Sequence, residues 1–134
     1  FEDIVENSRW VLSNGSYPSK WYIGNNAESG LNHLLYISSD NGATNTYSNT
    51  SSYYTTNSVW AYRDIYINPA YDTTYISFDC RVNGDYYDDL KVFLANCVTP
   101  SGGSTPQNAT VLINGLYGQS SWQHHVYAIP SSAG

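Results

Sequence analysis

The sequence predicts an all-β chain, a β-sandwich of two antiparallel sheets, and three observations carry that prediction. Charged residues make up only 12% of the 134 positions while tyrosine alone occurs 14 times, a balance that favours pleated surfaces and polar turns over helices rich in Glu, Lys and Leu. Short runs of β-branched and aromatic residues recur along the whole chain. Between them lie stretches dense in Gly, Pro, Asn and Ser, residues that set turns for distinct backbone reasons.

In chain order, the candidate strands are "SKWYIG" (19–24), "NHLLYISS" (32–39), "SVWAYRDIYIN" (58–68), "TTYISFDCRV" (73–82), "DLKVFLANC" (89–97), "ATVLIN" (109–114) and "QHHVYAIP" (123–130). The fourth is the clearest. Ile76, Phe78, Cys80 and Val82 alternate with Tyr75, Ser77, Asp79 and Arg81, the period of a strand with one buried face. In the fifth run Leu90, Val92 and Leu94 form the inward set with Lys91 opposite. Connections such as "SDNGATNTYSNTSS", "NPAYD", "NGDYYD" and "TPSGGSTPQN" read as loops within one domain spanning 1–134. No internal repeat is visible.

Two cysteines, Cys80 and Cys97, allow either a bridge in an oxidising compartment or two free thiols. Strand parity places them on opposite faces, which disfavours the bridge unless a bulge intervenes.

Charge excludes several function classes. The net charge is -6, and the five basic residues Arg9, Lys20, Arg63, Arg81 and Lys91 form no stripe that could follow a phosphate backbone, so nucleic acid is not an expected partner. No apolar run approaches the ~20 residues of a membrane-spanning helix. A chain that opens on "FEDI" and contains no methionine reads as a processed, exported protein, extracellular or on a cell surface.

Catalytic constellations are absent from the pattern. The serines lack a nucleophile-elbow setting, His124 and His125 point to opposite faces of a strand, and the few acids do not suggest a glycosidase pair. The expectation is a non-enzyme. Trp21, Trp60 and Trp122 are candidate ligand-binding rings, since a flat ring with a polar edge stacks on a sugar face; the alternative is that they fill the core.

Taken in order, "FEDI", Trp10, "KWYIG", "LLYISSDNG", "AYRDIYIN", "YISFDCRVNGDYYDDLKVFLA" and "WQHHVYAIP" resemble the cleaved-adhesin and choice-of-anchor J jelly rolls of Bacteroidota surface and secreted proteins. These are distantly similar to MAM-type jelly rolls. The resemblance implies a non-catalytic jelly-roll module that holds a host or neighbouring surface protein, or else a carbohydrate-binding module that takes a glycan. It also implies two further strands after "AIP", so the chain is expected to be a fragment whose "FEDI" strand lacks a partner, open to complementation by another chain.

Structural calcium follows from the same resemblance, and calcium takes six to eight oxygens in loops that offer several carboxylates. The first candidate set is Asp85, Asp88 and Asp89, against a solvated acidic turn as the alternative. Asp40 and Asn41 form a second set, against an Asp-Asn-Gly turn that needs positive φ. Glu2 and Asp3 form a third. For glycosylation, Asn14, Asn49 and Asn108 stand in Asn-x-Ser/Thr sequences, and "DTT" resembles an O-glycosylation tripeptide with Thr73 as acceptor.

Overall fold

The computed structural model describes residues 1, 3–25, 33–47, 58–96, 100 and 106–131. The all-β expectation is borne out. One helical turn, α1 (Ile4–Asn7), precedes eight strands: β1 (Val11–Ser13), β2 (Lys20–Gly24), β3 (Leu34–Ser38), β4 (Trp60–Tyr62), β5 (Thr73–Cys80), β6 (Leu90–Ala95), β7 (Ala109–Leu116) and β8 (Gln123–Pro130). All described pairings are antiparallel, in four small open ladders: β1 with β4, β2 with β3, β5 with β8, and β6 with β7.

The chain divides into two compact units, Phe1–Asp64 with Thr99–Thr105, and Ile65–Val98 with Pro106–Gly134. In the first unit the opening differs from expectation. In place of a strand at Asp3 and Ile4, Asp3 caps a turn of helix: its Oδ1 accepts the amides of Val5 at 2.7 Å and Glu6 at 3.3 Å. Phe1 packs on Trp10 with ring centres 5.4 Å apart, and Arg63 lies over the same indole while donating to Glu6 at 2.8 Å. The strand expected over 58–68 is confined to Trp60–Tyr62. Its partner β1 was not anticipated, since "VLS" is too short to show a period.

Trp21 is fixed by three hydrogen bonds. Its Nε1 donates to the Val59 carbonyl at 3.0 Å, and its backbone amide and carbonyl are clamped by the Asn14 side chain at 2.6 and 3.1 Å. Beside it, β3 buries Tyr36 and Ser38, the latter with no exposed surface.

In the second unit, β5 follows the expected alternation: Ile76, Phe78 and Cys80 are half-buried and Tyr75, Ser77 and Asp79 exposed. Phe78 stacks on His125 and Tyr127 of β8, and Ile129 is 97% buried, being only 3% exposed; covering such a side chain stabilises the fold by about 1.5–3 kcal/mol. Cys80 is a free thiol, its pKa raised by burial and then by Asp79; Cys97 lies outside the described residues. The parity expected for β6 does not persist. Register shifts at Leu90/Lys91 and Val92/Phe93 let β7 carry two extra residues, Gly115 and Leu112, so Phe93 is half-buried together with Val92 and Leu94. At Gly115 the backbone has φ +87°, and an added Cβ would stand 2.8 Å from Asp89 Oδ2.

Candidate functional site: a paired loop with exposed tyrosines

The ladder ends of the second unit bring two connections together. Cys80 pairs with Gln123 and Leu90 with Leu116, so the β5–β6 connection (81–89) and the β7–β8 connection (117–122) leave from matched register positions. Two backbone bonds join them. Gln119 N donates to Val82 O at 2.7 Å and Gly118 N to Gly84 O at 2.9 Å.

Within 81–89 the chain reverses over Asp85–Asp88. Asp88 N donates to Asp85 O at 3.0 Å, and the Asp85 carboxylate accepts the Tyr87 amide at 2.8 Å, an Asx turn. Gly84 permits this path, because an added Cβ would collide with the Asp88 carbonyl oxygen. The reversal lifts the two central residues outward: Tyr86 is 68% and Tyr87 83% exposed. Tyr86 stands edge-on to Tyr87 at 5.3 Å and to Tyr117 of the facing loop at 5.5 Å. Such edge-to-face pairs contribute about 0.5–1.5 kcal/mol each, enough to hold rings in place without covering them. Trp122, also exposed, carries the Arg81 guanidinium over its ring at 5.7 Å. Tyrosine, tryptophan and arginine are the residue types that dominate binding energy at interfaces.

These tyrosines are not among the candidate rings expected from the sequence, which are tryptophans. A usable signal existed: in "DYYD" two adjacent rings sit at the corners of a turn flanked by aspartates, where neither can be buried.

Of the expected ligand-binding rings, Trp122 belongs to this site. Trp21 and Trp60 belong to the first unit, both half-buried, with the Trp21 indole N–H already bonded.

Among the expected calcium donors, Asp85, Asp88 and Asp89 share the 81–89 loop. The Asp85 Oδ1 serves the turn, and Asp89 Oδ2 pairs with Lys91 at 3.4 Å. Asp3 is spent on the helix cap, and Glu2 lies outside the described residues. At Asp40, Oδ1 accepts from the Ser38 hydroxyl and from Thr44 N at 2.9 Å, while Oδ2 accepts from the Thr44 hydroxyl at 2.7 Å. These bonds, the Ser38 hydroxyl first, hold its pKa down at about 2. Asn41 and Gly42 have φ +61° and +86°, and Ala43 N reaches back to Asp40 O at 3.4 Å, so this segment is the positive-φ turn weighed as the alternative. Among the described residues, no three of His, Cys, Asp and Glu converge closely enough to hold a metal ion.

His124 and His125 take opposite faces as expected. His124 Nδ1 lies 2.8 Å from Asp79 Oδ1 on the exposed face, and His125 stacks against Phe78 and Tyr127. Thr73 opens β5 opposite Pro130 and is half-buried; the Asn14 amide is engaged with Trp21, and Asn108 takes φ +56° just before β7. Asn49 lies outside the described residues. No described helix is long and apolar enough to cross a membrane. Compared with known proteins, the chain matches no family model, no curated protein and no solved structure.

Proposed function

We propose that this chain is a non-catalytic recognition module of a secreted or cell-surface bacterial protein, of the jelly-roll kind that its sequence resembles, and that it grips a partner protein through the 81–89 and 117–122 loops. The observation that carries this reading is the trio Tyr86, Tyr87 and Tyr117, held edge-to-face and yet open to solvent, beside Trp122 and Arg81. Tyrosine gives a large contact area at a low entropic cost and keeps a hydroxyl for hydrogen bonding. Exposed rings of this density on a polar chain are otherwise a liability in solution.

The second reading is glycan binding, and the exposed Trp122 favours it. The tilted tyrosines favour protein over sugar, because a sugar ring needs a flat platform and edge-to-face rings offer a ridged one. Calcium belongs to the proposal through the resemblance and through the loop shared by Asp85, Asp88 and Asp89.

The test is a panel of immobilised extracellular-matrix and surface glycoproteins, each intact and enzymatically deglycosylated, beside free glycans. The reading predicts binding that survives deglycosylation and falls by roughly thirtyfold or more in Tyr86→Ala/Tyr87→Ala, the loss of about 2 kcal/mol expected of a hot spot. Binding confined to free glycans would replace it with the second reading. Adding chelator to the same panel and to a thermal melt tests calcium: a lower melting temperature is expected, since an ion bound by the folded state alone stabilises it.

A further inference from the structure

Asn-Gly occurs at four steps, Asn14–Gly15, Asn41–Gly42, Asn83–Gly84 and Asn114–Gly115. It is the dipeptide most prone to spontaneous deamidation, because a glycine amide nitrogen meets no side-chain obstruction as it attacks the preceding asparagine. Three of the four steps are locked, each by a different device.

At Asn14 the electrophile is held. Its side-chain oxygen accepts from Trp21 N at 2.6 Å and its nitrogen donates to Trp21 O at 3.1 Å, so Cγ cannot swing toward Gly15 N. At Asn41 the nucleophile is held: Gly42 N donates to the buried Ser38 hydroxyl at 3.0 Å, and both residues are fixed at positive φ in a tight turn. At Asn114 the backbone is held. Asn114 is extended in β7 opposite Lys91, the next paired residue is Leu116, and the Asp89 carboxylate stands over Gly115, where a negative charge opposes loss of the amide proton.

At Asn83 the flanking carbonyls of Val82 and Gly84 accept backbone bonds, but neither the electrophile nor the nucleophile is held. Asn83 is exposed, lies outside any strand, and no hydrogen bond holds its side chain or the Gly84 amide nitrogen among the described residues. We infer that Asn83 is the site at which this protein modifies itself, converting to aspartate and isoaspartate in a hydroxide-assisted reaction with water. Gly84 N, deprotonated by hydroxide, bonds to Asn83 Cγ and the side-chain nitrogen leaves as ammonia, which closes a five-membered succinimide. Water then opens the ring at either carbonyl. The sum is asparagine plus water to acid plus ammonia, with no oxidant or cofactor.

The position gives the change a consequence. The two backbone bonds that join the loops accept at Val82 O and Gly84 O, on either side of Asn83. Isoaspartate routes the chain through the side chain and inserts one methylene between those two anchors, so both bonds cannot keep their present spacing. Either product also adds a negative charge to a loop that already carries Asp85, Asp88 and Asp89. The modified protein should therefore loosen the Tyr86–Tyr117 contact, whichever partner the tyrosines take.

The experiment is incubation of the folded chain at mildly alkaline pH, with a parallel sample in denaturant, followed by peptide mapping that separates aspartate from isoaspartate. In the folded sample the peptide containing Asn83 should gain the mass of amide-to-acid conversion several-fold faster than those containing Asn14, Asn41 or Asn114. In denaturant the four rates should draw together. Earlier conversion at any of the other three sites, or an identical ranking in both samples, would overturn the inference. Asn83→Gln, which keeps the amide but disfavours ring closure, should abolish the fast phase; a fast phase that persists would overturn it equally.

Discussion

Residues 39–46 and 81–89 each follow a strand, and each carries aspartate and an Asn-Gly step with tyrosines nearby, yet the two loops spend these groups in opposite directions. In the first, the hydrogen bonds close within the loop and on the strand before it. Both Asp40 oxygens are bonded, Gly42 N is bonded to Ser38, Gly42 O accepts the Tyr36 hydroxyl at 2.6 Å, and the Tyr22 ring lies where a Gly42 side chain would go. In the second, the turn satisfies its backbone with one carboxylate oxygen and leaves two tyrosines and Asn83 facing solvent. The difference teaches that acidic, Asn-Gly-bearing loops are told apart by where their hydrogen-bonding capacity goes. A loop whose aspartate oxygens and glycine amide all bond within it or to the strand before it is a structural part; one whose turn carries its rings into solvent presents a surface.

The largest expected effect tests the inward loop. Gly42→Ala would place a Cβ 2.9 Å from the Tyr22 ring at φ +86°, combining a clash with a left-handed backbone, and should lower unfolding stability by about 2–3 kcal/mol. Gly118→Ala in the outward site sharpens the comparison. It also has positive φ, +64°, but open space around it, so it should cost about 1–2 kcal/mol, the backbone part alone. Equal losses in denaturant titrations of the two variants would mean that the Tyr22 contact does not matter.

A smaller effect is expected from acid. The Asp40 carboxyl is held at about 2, below its ordinary 3.8, so its contribution is present above the unfolded value and is lost as pH falls through the folded one. Thermal melts from pH 5 down to about 2 should show this loss, and Asp40→Asn should flatten that part of the curve. A curve unchanged by the substitution would assign the acid sensitivity to other carboxylates.

How far the sequence reveals this can be traced residue by residue. The β5 alternation was readable because Tyr75, Ser77 and Asp79 on one face and Ile76, Phe78 and Cys80 on the other form an unbroken period of two. The β6–β7 pair was not, because the Leu112 and Gly115 bulges break that period where no local residue announces it. At the opening, the resemblance implied a strand over "FEDI", although Asp3 with Glu6 three residues on is the acidic form of a capping box. In the candidate site, the aspartates mark the loop in the sequence but do not mark its tyrosines, because exposure depends on the Asp85–Asp88 reversal and on the facing loop that brings Tyr117.

The smallest stability effect belongs to the most informative variant. Tyr86→Ala/Tyr87→Ala removes two rings that are mostly solvent-exposed and, with them, two edge-to-face pairs, so it should cost about 1 kcal/mol in all, the low end for two such pairs, and its melting midpoint should stay close to that of the parent. Measured side by side, melting and capture by the immobilised protein panel test the central claim directly. The expected result is a protein that melts nearly as the parent does and no longer binds. A variant that binds as the parent does would contradict it, as would one that unfolds as readily as Gly42→Ala, since the tyrosines would then be part of the scaffold.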